Sequence, residues 1–262
     1  MLLSPLSADL TQLHTLWKDV YGDEDGYIDL FFSGAYFSSH PFAVVENSEV
    51  RSVLYLLDCA LQSGGRLYNG YYLYAAATKP QYRRRGLMRA LIEEAKAYMR
   101  ETKKDFIALV PANAPLYDYY HTFGFETCLY RWAGTLQGSG KQEPASLSFA
   151  QYSALSPQPC DRFVWTNGNL QYALDCLAFY GTKAYRTDNA AFLFDGRTVR
   201  EVLSGSAWDA QFDLAAALPK DGTATVYAPF ALSGFQKQPY GMLFSDTRAL
   251  LQRQYYMNFA LD

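Results

Sequence analysis

The pattern of hydrophobic and polar positions divides the first half of the chain into alternating helices and strands. Hydrophobic residues at helical spacing predict two helices, at 10–20 and 27–32. Two runs rich in β-branched and aromatic residues, 42–46 and 50–57, flank a polar turn and predict a β-hairpin. The pattern then predicts a strand, a helix, a strand, a helix and a strand, in this order: 67–78, 87–100, 106–110, a short helix before Phe123, and 125–132.

The second half begins after a change in composition. Residues 135–148 are rich in Gly, Ser, Gln, Lys and Pro, which is typical of a linker or a long turn. Beyond them the pattern predicts a helix, a hairpin across an Asp-Gly turn, a helix and a strand, at 170–180, 190–203, 208–218 and 223–229. The segment 255–261 is apolar and strand-like, so we expect it to pack.

Composition favours a folded, enzyme-sized protein. The 262 residues are half hydrophobic and 16% aromatic, so they can bury a large core, and this length favours two domains. The formal net charge of −3 disfavours a general nucleic-acid binder, which needs an excess of Lys and Arg. No apolar run approaches the roughly 20 residues that cross a bilayer, and no basic segment precedes an apolar stretch at the N-terminus. We therefore expect no membrane segment and a cytoplasmic location.

Residues that commonly bind metals are few and scattered. The four cysteines show no Cys-x-x-Cys spacing, and the chain has three histidines. These residues are Cys59, Cys128, Cys160 and Cys176, with His14, His40 and His121. We therefore expect no metal site, and isolated thiols suit a reducing compartment.

The segment 78–88 carries the clearest chemistry, because it joins a predicted strand to an amphipathic helix through a basic loop. The alanines at 75–77 leave bare backbone near the end of the strand. The start of the helix offers unpaired N–H groups and the positive end of a dipole, and Gly86 permits close approach. Three arginines add charge, namely Arg83, Arg84 and Arg85. The loop therefore predicts a pyrophosphate site.

A basic loop of this kind has two other interpretations, a solvated turn and a nucleotide-binding loop. An isolated basic triplet is often only a solvated turn. The loop is not a nucleoside-triphosphate loop, because no Gly-Lys-Ser/Thr follows, and it lacks the three glycines of the dinucleotide fingerprint.

The loop and a second segment resemble one known superfamily. Arg83 to Met88, Arg-Arg-Arg-Gly-Leu-Met, fits the pattern Arg/Gln-x-x-Gly-x-Gly/Ala of the GNAT superfamily of acyl-CoA-dependent N-acyltransferases, except that Met88 stands where Gly or Ala is usual. Downstream, Asn113 is followed by a segment ending Tyr120-His-Thr-Phe-Gly-Phe125, similar to a second motif of these proteins. The Arg-Arg-Arg-Gly-Leu run resembles the Eis-like branch, whose members carry additional domains.

The resemblance implies an α/β (α+β) GNAT fold. Its central sheet would be mixed and mostly antiparallel, with flanking helices, and would span an acyl-CoA-binding catalytic domain at 1–134. A linker at 135–148 would lead to a smaller α+β domain at 149–262. The element order of that second domain echoes the GNAT layout, so a degenerate GNAT-like copy and an unrelated α+β cap both stay open.

The resemblance also assigns roles to the motif residues. The edge of the strand would bind the pantetheine amides of acetyl-CoA, the loop its pyrophosphate, and Asn113 the carrier from the next loop. Tyr120 matches the family tyrosine near the thioester sulfur and would protonate the leaving thiolate, although packing on a short helix is its structural alternative. The proposed carrier-binding residues are Ala76, Ala77, Thr78, Arg83, Arg84, Arg85, Gly86, Leu87, Met88 and Asn113.

The general base stays open. Some superfamily members place a glutamate on the central strand, but 73–78 and 107–110 contain no carboxylate. The candidates are a water chain, Glu24, Asp25, Asp118, His121 and the C-terminal carboxylate of Asp262. An acidic, aromatic segment at 23–37 could receive a cationic amine, or could be ordinary core with a capped helix.

Three functions follow from these observations. The first is an acetyl-CoA-dependent N-acetyltransferase that transfers an acyl group to a primary amine of a small molecule or peptide by direct attack. The second is a non-catalytic CoA-binding regulatory or scaffold protein. The third is an aminoacyl-tRNA-dependent transferase, which the acidic composition disfavours.

Overall fold

The computed structural model describes residues 2–3, 9–155 and 160–261. Within these ranges the helices are α1 Leu10–Tyr21, α2 Asp25–Ser33, α3 Leu87–Glu101, α4 Ala114–His121, α5 Phe149–Ser153, α6 Asn167–Phe179, α7 Ala207–Ala217 and α8 Arg248–Leu251. The strands are β1 Leu2–Leu3, β2 His40–Glu46, β3 Glu49–Ser63, β4 Arg66–Thr78, β5 Phe106–Leu109, β6 Glu126–Gln137, β7 Ala145–Leu147, β8 Arg162–Trp165, β9 Lys183–Arg186, β10 Ala190–Phe194, β11 Thr198–Ser204, β12 Thr223–Ala228, β13 Gln236–Phe244 and β14 Tyr255–Tyr256.

The predicted hairpin is confirmed as β2 and β3, but β3 is longer than predicted. It continues to Ser63, whereas the sequence pattern ended the strand at residue 57. The extension is stabilised on both sides, because Cys59 to Gln62 pair with β4 on one edge and with β8 on the other. A polar residue such as Asp58 interrupts the hydrophobic pattern without interrupting the ladder.

A single mixed sheet connects the two halves of the chain. Its main path runs β1-β2-β3-β4-β5-β13-β6-β12-β11-β10-β9-β7, and β14 and β8 lie off this path, where β14 pairs with β6 and β8, and β8 pairs with β3. Strand β13 comes from the second half of the sequence, yet it lies between β5 and β6 and pairs antiparallel with both. The other edge of β6 pairs with β12, from Trp132 to Gln137.

Two predicted features of the second half can be compared with these elements. Residues of the predicted linker 135–148 begin in β6, which extends to Gln137, and end in β7. The division into domains at 134 and 149 stays a prediction.

The apolar tail packs as expected, because Met257, Phe259 and Leu261 are buried. Asp262 lies outside the described residues.

Hydrophobic clusters cover both faces of the first part of the sheet. On one face α1, α2 and α6 pack against β3 and β4 through residues such as Trp17, Phe31 and Tyr172. On the other face α3 and α4 contribute residues such as Leu91 and Tyr120. A third cluster lies under α7. No helix among the described residues is long and apolar enough to cross a membrane.

The insertion of β13 predicts a stability effect at Gly241. A Cβ atom there would lie 2.7 Å from the Leu109 carbonyl oxygen and 2.9 Å from a methyl group of Leu129. Gly241→Ala should therefore lower the free energy of unfolding by about 1–3 kcal/mol, because backbone on the β5 side cannot move away cheaply. Urea denaturation measures the effect.

Gly168→Ala is the matched control. Gly168 is exposed in α6, and a Cβ atom there would meet nothing within 4 Å. Its urea midpoint should be unchanged or slightly raised, since Ala is the better helix former. Equal midpoints for the two variants would contradict the close packing of β13 against β5.

Candidate active site

A β-bulge interrupts the pairing of β4 with β3 near the end of β4. Val53 pairs with Ala77 and Tyr55 with Tyr74, so two residues of β4 face one residue of β3. Ala75, the first of these two residues, has a φ of 47°, in the left-handed region. A bulge bends the strand and turns its backbone groups away from the ladder.

Strand β4 also parts from its other neighbour at this point. Its parallel pairing with β5 joins Gly70–Tyr72 to Phe106–Ala108. Among the described residues β5 pairs with β4 no further than Tyr72, while its other edge pairs with β13 up to Leu109 and Met242. Ala76, Ala77 and Thr78 therefore have no ladder partner on the β5 side in the described part of the chain, and their role in carrier binding stays a prediction.

On its paired side, the end of β4 is held by Ser52. The Ser52 hydroxyl donates to the Ala77 carbonyl oxygen at 3.0 Å, and the Ser52 and Thr78 hydroxyls lie 2.8 Å apart. These bonds hold the strand end in place next to the basic loop.

The basic loop folds into a concave run of backbone before α3. Arg84 and Gly86 both have positive φ, 63° and 77°, and Gly86 is the N-cap of α3 without a side-chain cap bond. A Cβ atom on Gly86 would meet nothing within 4 Å, so the glycine is required by its φ rather than by a close protein neighbour. The N–H groups of the first turn can therefore serve an anion.

The three arginines lie on the exposed rim of this loop. Arg83 Nε donates to the Thr78 carbonyl oxygen at 3.2 Å, and the Arg85 guanidinium lies 5.3 Å from the centre of the Tyr82 ring. Leu87 and Met88 are half-buried, with their side chains against the α3 face of the core. The residue that departs from the GNAT pattern, Met88, thus points its side chain into the protein.

Glu49 anchors the loop to the sheet. Its carboxylate accepts hydrogen bonds from Lys79 Nζ at 2.8 Å and from the Tyr82 hydroxyl at 2.7 Å. The bond from Lys79, and then that from Tyr82, lower the pKa of Glu49. Since Lys79 is neutralised by this pair, the positive charge left for a ligand comes from the arginines.

Tyr120 lies in α4, buried to 8% exposure, with its ring against Tyr119 and Phe125. Burial, and then the neighbouring Tyr119, raise the pKa of Tyr120, so the phenol keeps its proton well above neutral pH. Asn113 is the exposed N-cap of the same helix and makes no side-chain cap bond, which leaves its amide available.

Tyr21, which sequence reasoning missed, connects these parts. Its hydroxyl donates to the carbonyl oxygen of Ala76, in the bulge, at 2.8 Å. Burial of the hydroxyl raises the pKa of Tyr21, Tyr120 and Asp23 add to the rise, and Arg83 opposes it. Tyr21 therefore contacts the bulge directly, and Tyr120 and Arg83 are close enough to influence its pKa. The feature of the sequence that could have pointed to Tyr21 is its place at the end of α1, immediately before the cap residue Gly22.

The proposed bases occupy different places. Asp25 is ion-paired with Lys18 at 2.7 Å, and His121 lies 3.8 Å from Glu126. Glu24 and Asp118 are exposed. Asp262 lies outside the described residues.

Another carboxylate, Asp23, lies in the turn after α1, two residues beyond Tyr21. It accepts a hydrogen bond from Trp17 Nε1 at 2.7 Å, and its charge acts on Tyr21. Among the described residues, no group of three or more His, Cys, Asp and Glu side chains could hold a metal ion.

Comparison with known proteins shows which family part of the chain is similar to. Residues 5–128 match a family model described as "Acetyltransferase (GNAT) domain". That range contains the bulge, the basic loop, Asn113 and Tyr120. A search among curated proteins found no match to the chain.

Solved structures resemble nearly the whole chain. A conserved protein from Enterococcus faecalis, described as a probable N-acyltransferase, has a TM-score of 0.73 at 14% identity, covering 94% of this chain and 72% of its own. A GCN5-related N-acetyltransferase from Kribbella flavida has a TM-score of 0.68 at 17% identity, covering 94% and 71%. Eis1 from Mycobacterium abscessus has a TM-score of 0.67 at 12% identity, covering 94% and 72%.

The likenesses at this level of identity establish the fold. The chain has a mixed α/β GNAT-type fold, as its motifs predicted, and residues 5–128 are similar to a GNAT acetyltransferase domain. The assignment to the Eis-like branch and the degenerate-copy interpretation of the second half stay predictions.

Proposed function

We propose that the chain is an acetyl-CoA-dependent N-acyltransferase that transfers an acyl group to a primary amine of a small molecule or peptide. The observation that carries this proposal is the juxtaposition of a strand bulge at Ala75 and Ala76 with an uncapped helix start behind Gly86. The bulge offers backbone groups to an amide-bearing chain, and the helix start offers N–H groups to phosphates. A cytoplasmic location stays a prediction.

The carrier would lie along the free edge of β4. Its pyrophosphate would accept hydrogen bonds from the N–H groups of 84–88, with Arg83, Arg84 and Arg85 supplying charge. Its pantetheine amides would pair with the backbone of 76–78 as an added strand. In this arrangement Tyr21 must release the Ala76 carbonyl oxygen or share it, because that oxygen faces the same edge.

The chemistry would be a direct attack. The amine nitrogen forms a bond to the thioester carbon, the C–S bond breaks, and the nitrogen gives its proton to the base, whose candidates are named below. The CoA thiolate takes a proton from Tyr120, which enters the reaction protonated because its pKa is raised, and solvent then returns a proton to the phenolate. Asn113 would contact the carrier from the start of α4.

The amine would approach from the side of Asp23. This carboxylate lies in the turn between α1 and α2, and its charge also acts on Tyr27 and Tyr180. The Tyr27 and Tyr180 rings are tilted against each other with centres 5.3 Å apart, which brings the end of α6 against α2. Asp23 would attract a cationic amine, and water, Glu24, Asp118, His121 and the Asp262 carboxylate remain candidates for the base.

A second candidate function is a CoA-binding protein without catalysis. One observation favours it, namely that the described ends of β4 and β5 present no carboxylate beside the bulge. Binding and turnover must therefore be measured separately.

The pyrophosphate assignment predicts weaker carrier binding when charge is removed from the loop. The double variant Arg83→Ala with Arg84→Ala should weaken acetyl-CoA affinity about tenfold or more at low salt, because charge-assisted hydrogen bonds to phosphate are lost. The difference should shrink as salt rises. Calorimetric titration measures this difference in affinity.

Arg248→Ala, at an exposed arginine on α8, is the control and should bind like the native protein. Equal affinity in the double variant would exclude this loop as the clamp.

The role of Tyr120 predicts a loss of turnover with little loss of carrier binding. Tyr120→Phe should lower kcat by about 100-fold, a typical contribution of a positioned acid, while acetyl-CoA affinity stays the same. Thiol release from acetyl-CoA across a panel of primary amines measures turnover.

Tyr119→Phe is the matched control, since Tyr119 is the neighbouring phenol and is 36% exposed. It should retain native rates. Equal rates in Tyr120→Phe and the native protein would remove Tyr120 as the proton donor. Carrier binding without thiol release for any amine would favour the second candidate function.

The placement of the amine predicts a change in KM at Asp23. Asp23→Asn should raise the KM for cationic amines about tenfold, because a charged partner is lost, while the amide oxygen can still accept from Trp17. Asp19→Asn, exposed on α1, should leave the KM unchanged. An unchanged KM in Asp23→Asn would place the amine elsewhere.

A further inference from the structure

A cavity of about 100 Å³ lies in the part of the molecule built by α5, β8, β11 and the segment after β14. We call it the β8 cavity. Its apolar wall includes Phe163, Trp165 and Leu203. Its polar lining is made by Tyr152, Arg162, Glu201, Tyr256 and Asn258. An apolar pocket with a few convergent polar groups is the usual form of a small-molecule site.

Glu201 is the central polar group of the β8 cavity. It is only 7% exposed, on strand β11. The Tyr152 hydroxyl donates to one of its carboxylate oxygens at 2.8 Å. Burial raises the pKa of Glu201, and hydrogen bonds from Tyr152 and Asn258 together with the charge of Arg162 oppose the rise. Since a carboxylate has about four acceptor positions, two hydrogen bonds leave capacity for further donors.

Two further polar atoms of the lining are buried without a partner. Within the described residues, Asn258 Oδ1 and the Tyr256 hydroxyl make no hydrogen bond. Because Asn258 donates its amide to Glu201, its oxygen is left as an acceptor beside the carboxylate. Buried polar atoms without partners are uncommon in native proteins and call for an explanation. A bound donor group would satisfy this acceptor and the carboxylate together.

The cavity also presents a cation. Arg162 contributes to the lining, and its charge is felt at Glu201. A guanidinium has five N–H donors in a planar fork that suits a carboxylate, so it can serve a ligand beside its contacts within the protein. The complementary ligand therefore carries an ammonium for Glu201 and Asn258, a carboxylate for Arg162 and an apolar part for the aromatic wall.

The β8 cavity is separate from the candidate active site. Strand β8 pairs with Cys59 to Gln62 of β3, whereas Ser52 of β3 pairs with Thr78 beside the basic loop. Seven residues of extended strand separate Ser52 from Cys59, which corresponds to roughly 23 Å. A ligand in the β8 cavity would not reach the bulge.

We propose that the β8 cavity binds a small zwitterionic α-amino acid with an apolar side chain, its ammonium at Glu201 and Asn258 Oδ1 and its carboxylate at Arg162. The volume limits the side chain to about the size of a methyl group, because benzene needs a cavity of about 150 Å³ and this cavity has about 100 Å³. This site is independent of acyl transfer, and it stands whether or not the chain is an acyltransferase.

The test compares three compounds of the same shape on the full chain. L-alanine carries both charges, ethylamine lacks the carboxylate, and propionate lacks the ammonium. Calorimetric titration should show saturable binding of L-alanine, with each of the other two bound at least about tenfold more weakly, because each loses a charge-assisted contact. Ethylamine or propionate binding as tightly as L-alanine, or no saturable binding of L-alanine to the folded protein, would overturn the proposal.

Variants locate the binding. Glu201→Gln should reduce L-alanine affinity about tenfold or more while keeping the size of the side chain, and Glu143→Gln, at an exposed position, should not. L-alanine should also change the fluorescence of Trp165, so Trp165→Phe should remove that signal while calorimetry still detects binding. Native affinity in a folded Glu201→Gln variant would sink the assignment. If that variant does not fold, the comparison of the three compounds on the native protein decides.

Discussion

The register of strand β3 is the constraint on which both sites depend. This strand pairs with β2 and β4 over most of its length and with β8 at its far end. At one end the pairs Val53 with Ala77 and Tyr55 with Tyr74 force the bulge of the candidate active site. At the other end the pair Cys59 with Trp165 places the wall of the β8 cavity. A slip of one residue would turn every side chain of β3 to the wrong face and dismantle both.

Aromatic packing fixes that register from the α1 side. Four aromatic rings form a contacting cluster, in which the centres of paired rings lie 4.7–6.3 Å apart. They belong to Trp17, Phe31, Tyr55 and Tyr74. The hydroxyls of Tyr74 and Tyr172 lie 3.0 Å apart, so a buried phenol of β4 finds its partner on α6. Edge-to-face aromatic pairs have preferred geometries, so this cluster specifies an arrangement as well as burying area. The same cluster positions Asp23 through the Trp17 indole.

Much of the first half could be predicted from the sequence, because its signals are local. The loop with Arg83 to Gly86, the amphipathic α3 and the β2–β3 hairpin each carry their own pattern within about fifteen residues. The parts that could not be predicted depend on distant pairing. Strand β13 begins Gln-Lys-Gln-Pro and is polar over its exposed start, so nothing in it points to β5 as a neighbour. Tyr21 is important because it contacts Ala76, 55 positions away. Glu201 is important because it contacts Tyr152 and Asn258, 49 and 57 positions away. No spacing rule in the sequence reveals such contacts.

The position of β13 has a consequence for how the chain is made. Strand β5 and the part of β6 that pairs with β13 leave the ribosome long before their shared neighbour, because 111 residues separate Ala133 from Phe244 (244 − 133). At the usual rate of synthesis, about 5–20 residues per second, this delay lasts roughly 5–20 seconds. During that time the nascent protein carries two strand edges without a partner, and such edges readily pair with other chains. The polar, proline-containing start of β13 keeps the late strand itself from aggregating before it reaches its place.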